Sequence, residues 1–182
     1  MRTIADHLYD IAMNSVKAGA KNVYVSIRED TDKNEFYFSV KDDGSGISEE
    51  KLIKVFDPFY TTRDKKIRKV GLGLPLLKQN TEITGGYTKI SSKENEGTYT
   101  EALFYTNNID AIEKGDIAGS VHGLVVSSDR IDWYIKIEKN ELKEEISTLE
   151  IRDALGGLSF QNIEVMQALM NIFREIAENI GI

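Results

Sequence analysis

Asp10-Ile11-Ala12-Met13-Asn14-Ser15-Val16-Lys17-Ala18-Gly19-Ala20-Lys21-Asn22-Val23 is the stretch on which the fold turns. It closes an amphipathic helix over residues 3–18. Ile4, Leu8, Ile11, Ser15 and Ala18 fall on one face, and Asp6, Asp10, Asn14 and Lys17 on the other. Gly19 ends the helix, as a C-terminal glycine does. The i to i+4 spacing sets Asp10 and Asn14 on the same side. Asn14 lies at the edge of the apolar face, where a helix residue can look sideways into a pocket.

Outward from this helix, residues 22–28 (NVYVSIR) and 35–41 (EFYFSVK) alternate as strands around the polar loop EDTDKN. Residues 42–46 form a glycine turn. Ser48 is placed to cap a short helix reaching about Phe56. Residues 57–70 read as an irregular basic loop, and residues 72–84 as a helix ended by Gly85-Gly86. Two more strands are expected over 87–92 and 97–105. The pattern changes after Tyr105, and Asn107-Asn108 reads as a boundary. Beyond it come a helix over 112–126, a hairpin of 133–137 with 142–146, and a short helix capped by Thr148. A final helix over 162–179 carries Met166, Leu169, Phe173 and Ile176 at helical spacing.

Four short motifs stand in a fixed order: DIAMNSVKAGAKNV at 10–23, DDGSG at 42–46, FDPFYTTR at 56–63 and VGLGLPLLK at 70–78. Together they resemble the GHKL family, the ATPase domains of gyrase, mismatch-repair proteins, the large heat-shock chaperone and histidine kinases. The resemblance covers roughly residues 3–106. It implies an α+β fold, a two-layer sandwich of the Bergerat type. In that fold a mixed, mostly antiparallel sheet is covered by helices on one face; here a small α/β C-terminal extension follows. The expected division is an ATP-binding domain at 1–106 and an acidic extension at 107–182, the latter for regulation or interaction.

The same resemblance assigns roles. Asn14 would ligate magnesium through its amide oxygen. That suits a hard cation which keeps waters and substrate phosphates as its other ligands, and a neutral amide does not repel the phosphates. Asp10 stands where hydrolytic members carry a glutamate that activates water. It is the candidate catalytic base, though about one methylene shorter in reach. Asp42 would accept a hydrogen bond from the adenine exocyclic amine, selecting adenine over guanine, whose equivalent group is a carbonyl. Gly44 and Gly46 let the backbone turn and approach the base. Phe56 and Phe59 would anchor a lid, with Thr62 and Arg63 approaching the phosphates. Gly71 and Gly73 match the glycine box that cradles a triphosphate at a helix start. Lys69 replaces a further glycine of that box and is a candidate phosphate contact. Ile47, Leu72 and Leu74 complete the expected nucleotide-binding set, and Thr98 is a candidate for a water-mediated adenine contact. The implied ligands are ATP and magnesium.

Composition removes other classes of function. The 182 residues contain no cysteine, so disulfides, thiolate metal sites and thiol catalysis are excluded. No apolar run approaches the roughly 20 residues that span a bilayer, and the first residues lack the shape of a signal peptide. Residues 1–106 hold 16 acidic and 16 basic residues, whereas residues 107–182 hold 14 and 7, so the whole excess of −7 lies in the second part. That balance argues against nucleic-acid binding. The expectation is a cytoplasmic protein without membrane contact that works with a protein partner or as a homodimer.

Histidine kinases carry a phosphoacceptor histidine ahead of the ATP domain. This sequence starts on the asparagine helix and offers only His7, on that helix itself, and His122, followed by Gly123 rather than an acidic residue. Conventional autokinase activity is therefore not expected. Two readings remain: a regulatory kinase resembling the anti-sigma kinases, which phosphorylate serine or threonine on a partner, and an ATP-binding switch without turnover.

Overall fold

The structure is a computed structural model and describes residues 1–57 and 72–182. Its elements run α1 (Ile4–Lys17), β1 (Asn22–Asp30), β2 (Glu35–Asp42), α2 (Glu49–Leu52), α3 (Gly73–Ile83), β3 (Tyr87–Lys93) and β4 (Gly97–Tyr105). They continue α4 (Ile117–Val126), β5 (Asp132–Lys139), β6 (Leu142–Ser147), α5 (Thr148–Ala154) and α6 (Ile163–Ile180). The strands form one six-stranded sheet in the order β3-β4-β2-β1-β5-β6. Every neighbouring pair is antiparallel except β1 with β5.

Alternation along the strands decides which face is covered. Val23, Val25 and Ile27 of β1 are buried, in register with Asp42, Val40 and Phe38 of β2 and with Trp133, Ile135 and Ile137 of β5. Ile4, Leu8 and Ile11 of α1, Leu77 of α3 and Val121 of α4 join the same cluster, as do Leu169 and Phe173 of α6. Each such side chain contributes about 1.5–3 kcal/mol on burial. The opposite face presents Tyr24 and Tyr134, stacked with ring centroids 4.7 Å apart. The result is the expected α+β sandwich, helices on one side of a mostly antiparallel sheet.

The C-terminal strands extend this sheet. Parallel pairing of β5 with β1 requires a crossover, and α4 lies within it. The segment before α4 is extended rather than helical, so α4 begins at Ile117, not near residue 112. The reason is local: the carbonyls of Glu113 and Lys114 accept from the free N–H groups of Ile4 and Ala5 at 2.9 and 2.8 Å, closing the start of α1. Asp116 then caps α4, its carboxylate accepting from Gly119 N at 2.7 Å. α4 packs along α1, where the Tyr9 ring fills the space over Gly123 and Ser120 Oγ donates to Ala5 O at 3.2 Å. At the other end of β1, Glu29 receives the Lys114 ammonium at 2.9 Å and Lys139 at 3.4 Å. Lys139 also donates to Gly181 O, which closes α6.

Two smaller expectations are corrected. α2 is a single turn, and Ser48 makes no side-chain cap bond. Thr148 is the first residue of α5 rather than its cap, because its hydroxyl accepts from Trp133 N at 2.8 Å. His122 is buried, and its Nε2 lies 2.9 Å from Met166 O, tying α4 to α6.

Candidate nucleotide site

The site forms where α1, the end of β2, the turn after it and strands β3 and β4 meet around a cavity of about 110 Å³. Its apolar walls are Ile11, Val40, Ile47, Leu74 and Ile90. Its polar groups are Asn14, Ser15, Asp42, Thr98 and Thr100, with Ala18 and Gly46 completing the lining. A small, mostly apolar cleft with a few convergent polar groups is the general form of a ligand site.

Asp42 ends β2 and is only 8 % exposed. Three donors hold its carboxylate: Gly44 N and Thr98 N reach Oδ1 at 2.9 and 3.2 Å, and Ser15 Oγ reaches Oδ2 at 2.7 Å. The glycines around it are required by close approach. A Cβ on Gly46, whose φ is +63°, would lie 2.0 Å from Lys93 O. One on Gly97, φ +100°, would lie 1.9 Å from Asp42 O. One on Gly44 would press on the Ala18 side chain at 2.8 Å. The turn thus sits directly against the end of α1 and the β3–β4 hairpin, further joined by Ile47 N donating to Ser92 Oγ at 2.8 Å. Asp43 locks the turn from the other side. Burial pulls its carboxyl upward, but donors from Asn22 and Lys21 outweigh this and hold it below the ordinary range.

Asn14 lies at the cavity mouth, exposed, and its Oδ1 accepts from the Lys17 ammonium at 3.2 Å. One turn earlier, Asp10 reaches the start of α3: a Cβ on Gly73 would lie 2.1 Å from Asp10 Oδ2. The positive end of the helix dipole therefore faces this carboxylate. Leu72 precedes Gly73 and is exposed, whereas Leu74 turns into the cavity. Phe56 packs under the Lys78 ammonium, 5.0 Å from the ring centroid, joining the end of the α2 segment to α3. Phe59, Thr62, Arg63, Lys69 and Gly71 lie outside the described residues.

Residues 2–108, more than half of the chain, match the family model described as histidine kinase-, DNA gyrase B- and HSP90-like ATPase. The chain belongs to this ATPase family. Sensor protein kinase WalK of Staphylococcus epidermidis is 32 % identical over 119 residues, covering 64 % of this chain and 19 % of the relative. Circadian input-output histidine kinase CikA of Synechocystis is 28 % identical over 145 residues, covering 78 % of this chain and 18 % of the relative. The chain thus spans about a fifth of the length of these curated relatives. Among solved structures, the N-terminal domain of a DNA repair protein superposes with a TM-score of 0.58 at 12 % identity. It covers 81 % of this chain and 53 % of that one, a likeness of fold.

Within this ATPase domain the donor set fits a hard cation carried by a phosphate ligand. Asn14 Oδ1 already attracts a cation, the Lys17 ammonium, and Asp10 supplies a carboxylate one turn away. Among the described residues no group of three His, Asp or Glu side chains could hold a metal by itself. A metal here would complete its shell with phosphate and water, as magnesium does. Sequence reasoning missed Ser15 and Lys17. Ser15 falls on the apolar face of α1, and its lone hydroxyl at that position is the signal that could have found it. Lys17, three residues after Asn14, is within helical reach of it.

Proposed function

We propose that this chain is a magnesium-ATP-binding regulatory protein. The observation that carries the reading is Asp42, a buried carboxylate held by three donors at the floor of a cavity. It presents acceptor capacity toward a ligand amine, as adenine recognition requires. Asn14 would hold magnesium at the mouth, and the metal would neutralise and orient the phosphates. The start of α3 would meet the triphosphate with its free N–H groups. Thr62, Arg63, Lys69 and Gly71 would add contacts from the segment between α2 and α3.

The catalytic form of this reading is a serine/threonine protein kinase of the anti-sigma type. Asp10 would take the proton from the attacking hydroxyl as the oxygen bonds to the γ-phosphorus and ADP leaves. A second reading, an ATP-binding switch without turnover, is favoured by the packing of α4 on α1, the helix that carries Asp10 and Asn14. Ligand-dependent order in the lid would then reach a partner through residues 107–182. The relatives' names indicate protein kinases, which supports a signalling role. No helix among the described residues is long and apolar enough to cross a membrane, and a cytoplasmic location accords with that.

Calorimetric titration with ATP, ADP and GTP, with and without magnesium, tests the binding. The reading predicts ATP and ADP binding, exclusion of GTP, and magnesium-dependent ATP affinity that Asn14→Ala abolishes. GTP binding as tight as ATP would contradict it. Radiolabelled phosphate transfer to a partner, lost in Asp10→Asn with binding retained, selects the kinase. Tight binding with neither transfer nor hydrolysis selects the switch.

A further inference from the structure

We propose that Ser15 is the positioning residue that sets base specificity, by fixing the rotation of the Asp42 carboxylate so that a single acceptor site meets the base. The inference rests on the nucleotide reading of the cavity and deepens it. Ser15 is 2 % exposed, lines the cavity, and gives its one hydroxyl proton to Asp42 Oδ2 at 2.7 Å.

An ionised carboxylate offers about four acceptor sites. Two on Oδ1 are taken by the backbone donors of Gly44 and Thr98. Ser15 takes one on Oδ2, which leaves one for a ligand. The oxygen of Ser15, having committed its proton, shows only lone pairs to the cavity. Thr98 is committed in the same way. Ser92 Oγ donates to Gly97 O at 2.8 Å and accepts from Ile47 N, so the 2.9 Å contact between the Ser92 and Thr98 hydroxyls uses the Thr98 proton. Asp42, Ser15 and Thr98 therefore confront the base as acceptors only. An amino-substituted base matches this set. A base with a carbonyl at that place sets acceptor against acceptor and is rejected strongly, because buried groups are left unpaired.

Ser15 acts through Asp42, so its removal has a signature that lost packing lacks. Without the hydroxyl, a second acceptor site on Oδ2 opens and a water can enter beside it. Such a water can turn its protons to a base carbonyl, so the acceptor-only face is lost and discrimination falls.

The test is calorimetric titration with ATP and GTP at one fixed pH, on the wild type, Ser15→Ala and Ser15→Thr, with thermal melts as fold controls. Ser15→Cys, which keeps the volume with a weaker donor, repeats the test if the alanine variant does not fold. The proposal expects a large ATP-to-GTP affinity ratio for the wild type. It expects a ratio about tenfold smaller in Ser15→Ala, the worth of roughly one hydrogen bond of discrimination. Ser15→Thr, which keeps the hydroxyl, restores the wild-type ratio. A uniform loss of affinity for both nucleotides, or an unchanged ratio, overturns the proposal while leaving the pocket intact. A wild type that binds no ATP sinks the nucleotide reading itself.

Discussion

Asp42→Asn turns the geometry of the pocket floor into a specificity swap. The substituted amide has two orientations, and the backbone chooses between them. Gly44 N and Thr98 N both point at the Oδ1 position, at 2.9 and 3.2 Å. An amide nitrogen there would face two fixed N–H donors, so the carbonyl oxygen stays and the NH₂ takes the Oδ2 position. Ser15 can rotate its hydroxyl to accept from it. The second amide hydrogen then points at the ligand, where it opposes the adenine amine and matches a carbonyl. A hydrogen bond to a charged group contributes about 1.5–3 kcal/mol, so ATP affinity should fall by roughly 10- to 150-fold. GTP or ITP binding should strengthen relative to the wild type. Calorimetry at fixed magnesium and pH reads both, and a thermal melt confirms the fold. ATP affinity within about threefold of wild type, with GTP still excluded, would falsify the assignment of Asp42 as the base acceptor.

Other predictions concern the scaffold that holds this floor. Glu29→Gln leaves the Lys114 and Lys139 ammonium groups facing each other at the end of β1, and both are partly solvated. Screening reduces the loss below that of a fully buried pair, to about 1–3 kcal/mol in urea denaturation; no change would show that the C-terminal segment is held by apolar packing alone. Gly97→Ala drives a Cβ into Asp42 O at a left-handed φ. It should cost at least about 1–3 kcal/mol and weaken ATP binding as the hairpin withdraws from the turn, and wild-type affinity would count against that coupling. His7 is fully buried, and burial, helped by the N-terminal ammonium and opposed by Asp6, lowers its pKa from 6.5 to about 4. The folded state therefore resists a proton that the unfolded chain accepts. The resulting stability is complete above pH 6.5 and is lost as pH falls toward 4, by roughly 3 kcal/mol. His7→Gln should flatten that part of the stability profile, and an equally steep decline in the variant would assign it to carboxylates.

Local patterns in the sequence carried much of this structure. The 3.6-residue spacing of Ile4, Leu8 and Ile11 and the alternation through Val23, Val25 and Ile27 are properties of single segments, and both elements form where those patterns place them. What was not legible depends on partners far along the chain. Parallel pairing of Val23 with Trp133 joins residues 110 positions apart, and nothing near either one announces it. Residues 113 and 114 look helical in isolation, yet their carbonyls are drawn out to close the start of α1. Thr148 looks like a cap, but its oxygen serves Trp133 N. That Asn14 and Asp42 line one cavity was legible because a short motif holds each one. Ser15 was not, since one hydroxyl on an apolar face has no meaning until Asp42 is placed 2.7 Å away.

The most direct test of the nucleotide account is a crystal structure with magnesium and a non-hydrolysable ATP analogue. The account predicts the adenine exocyclic amine about 3 Å from Asp42 Oδ2 and the metal about 2.1 Å from Asn14 Oδ1. A nucleotide bound elsewhere, or an adenine ring that makes no contact with Asp42, would contradict it.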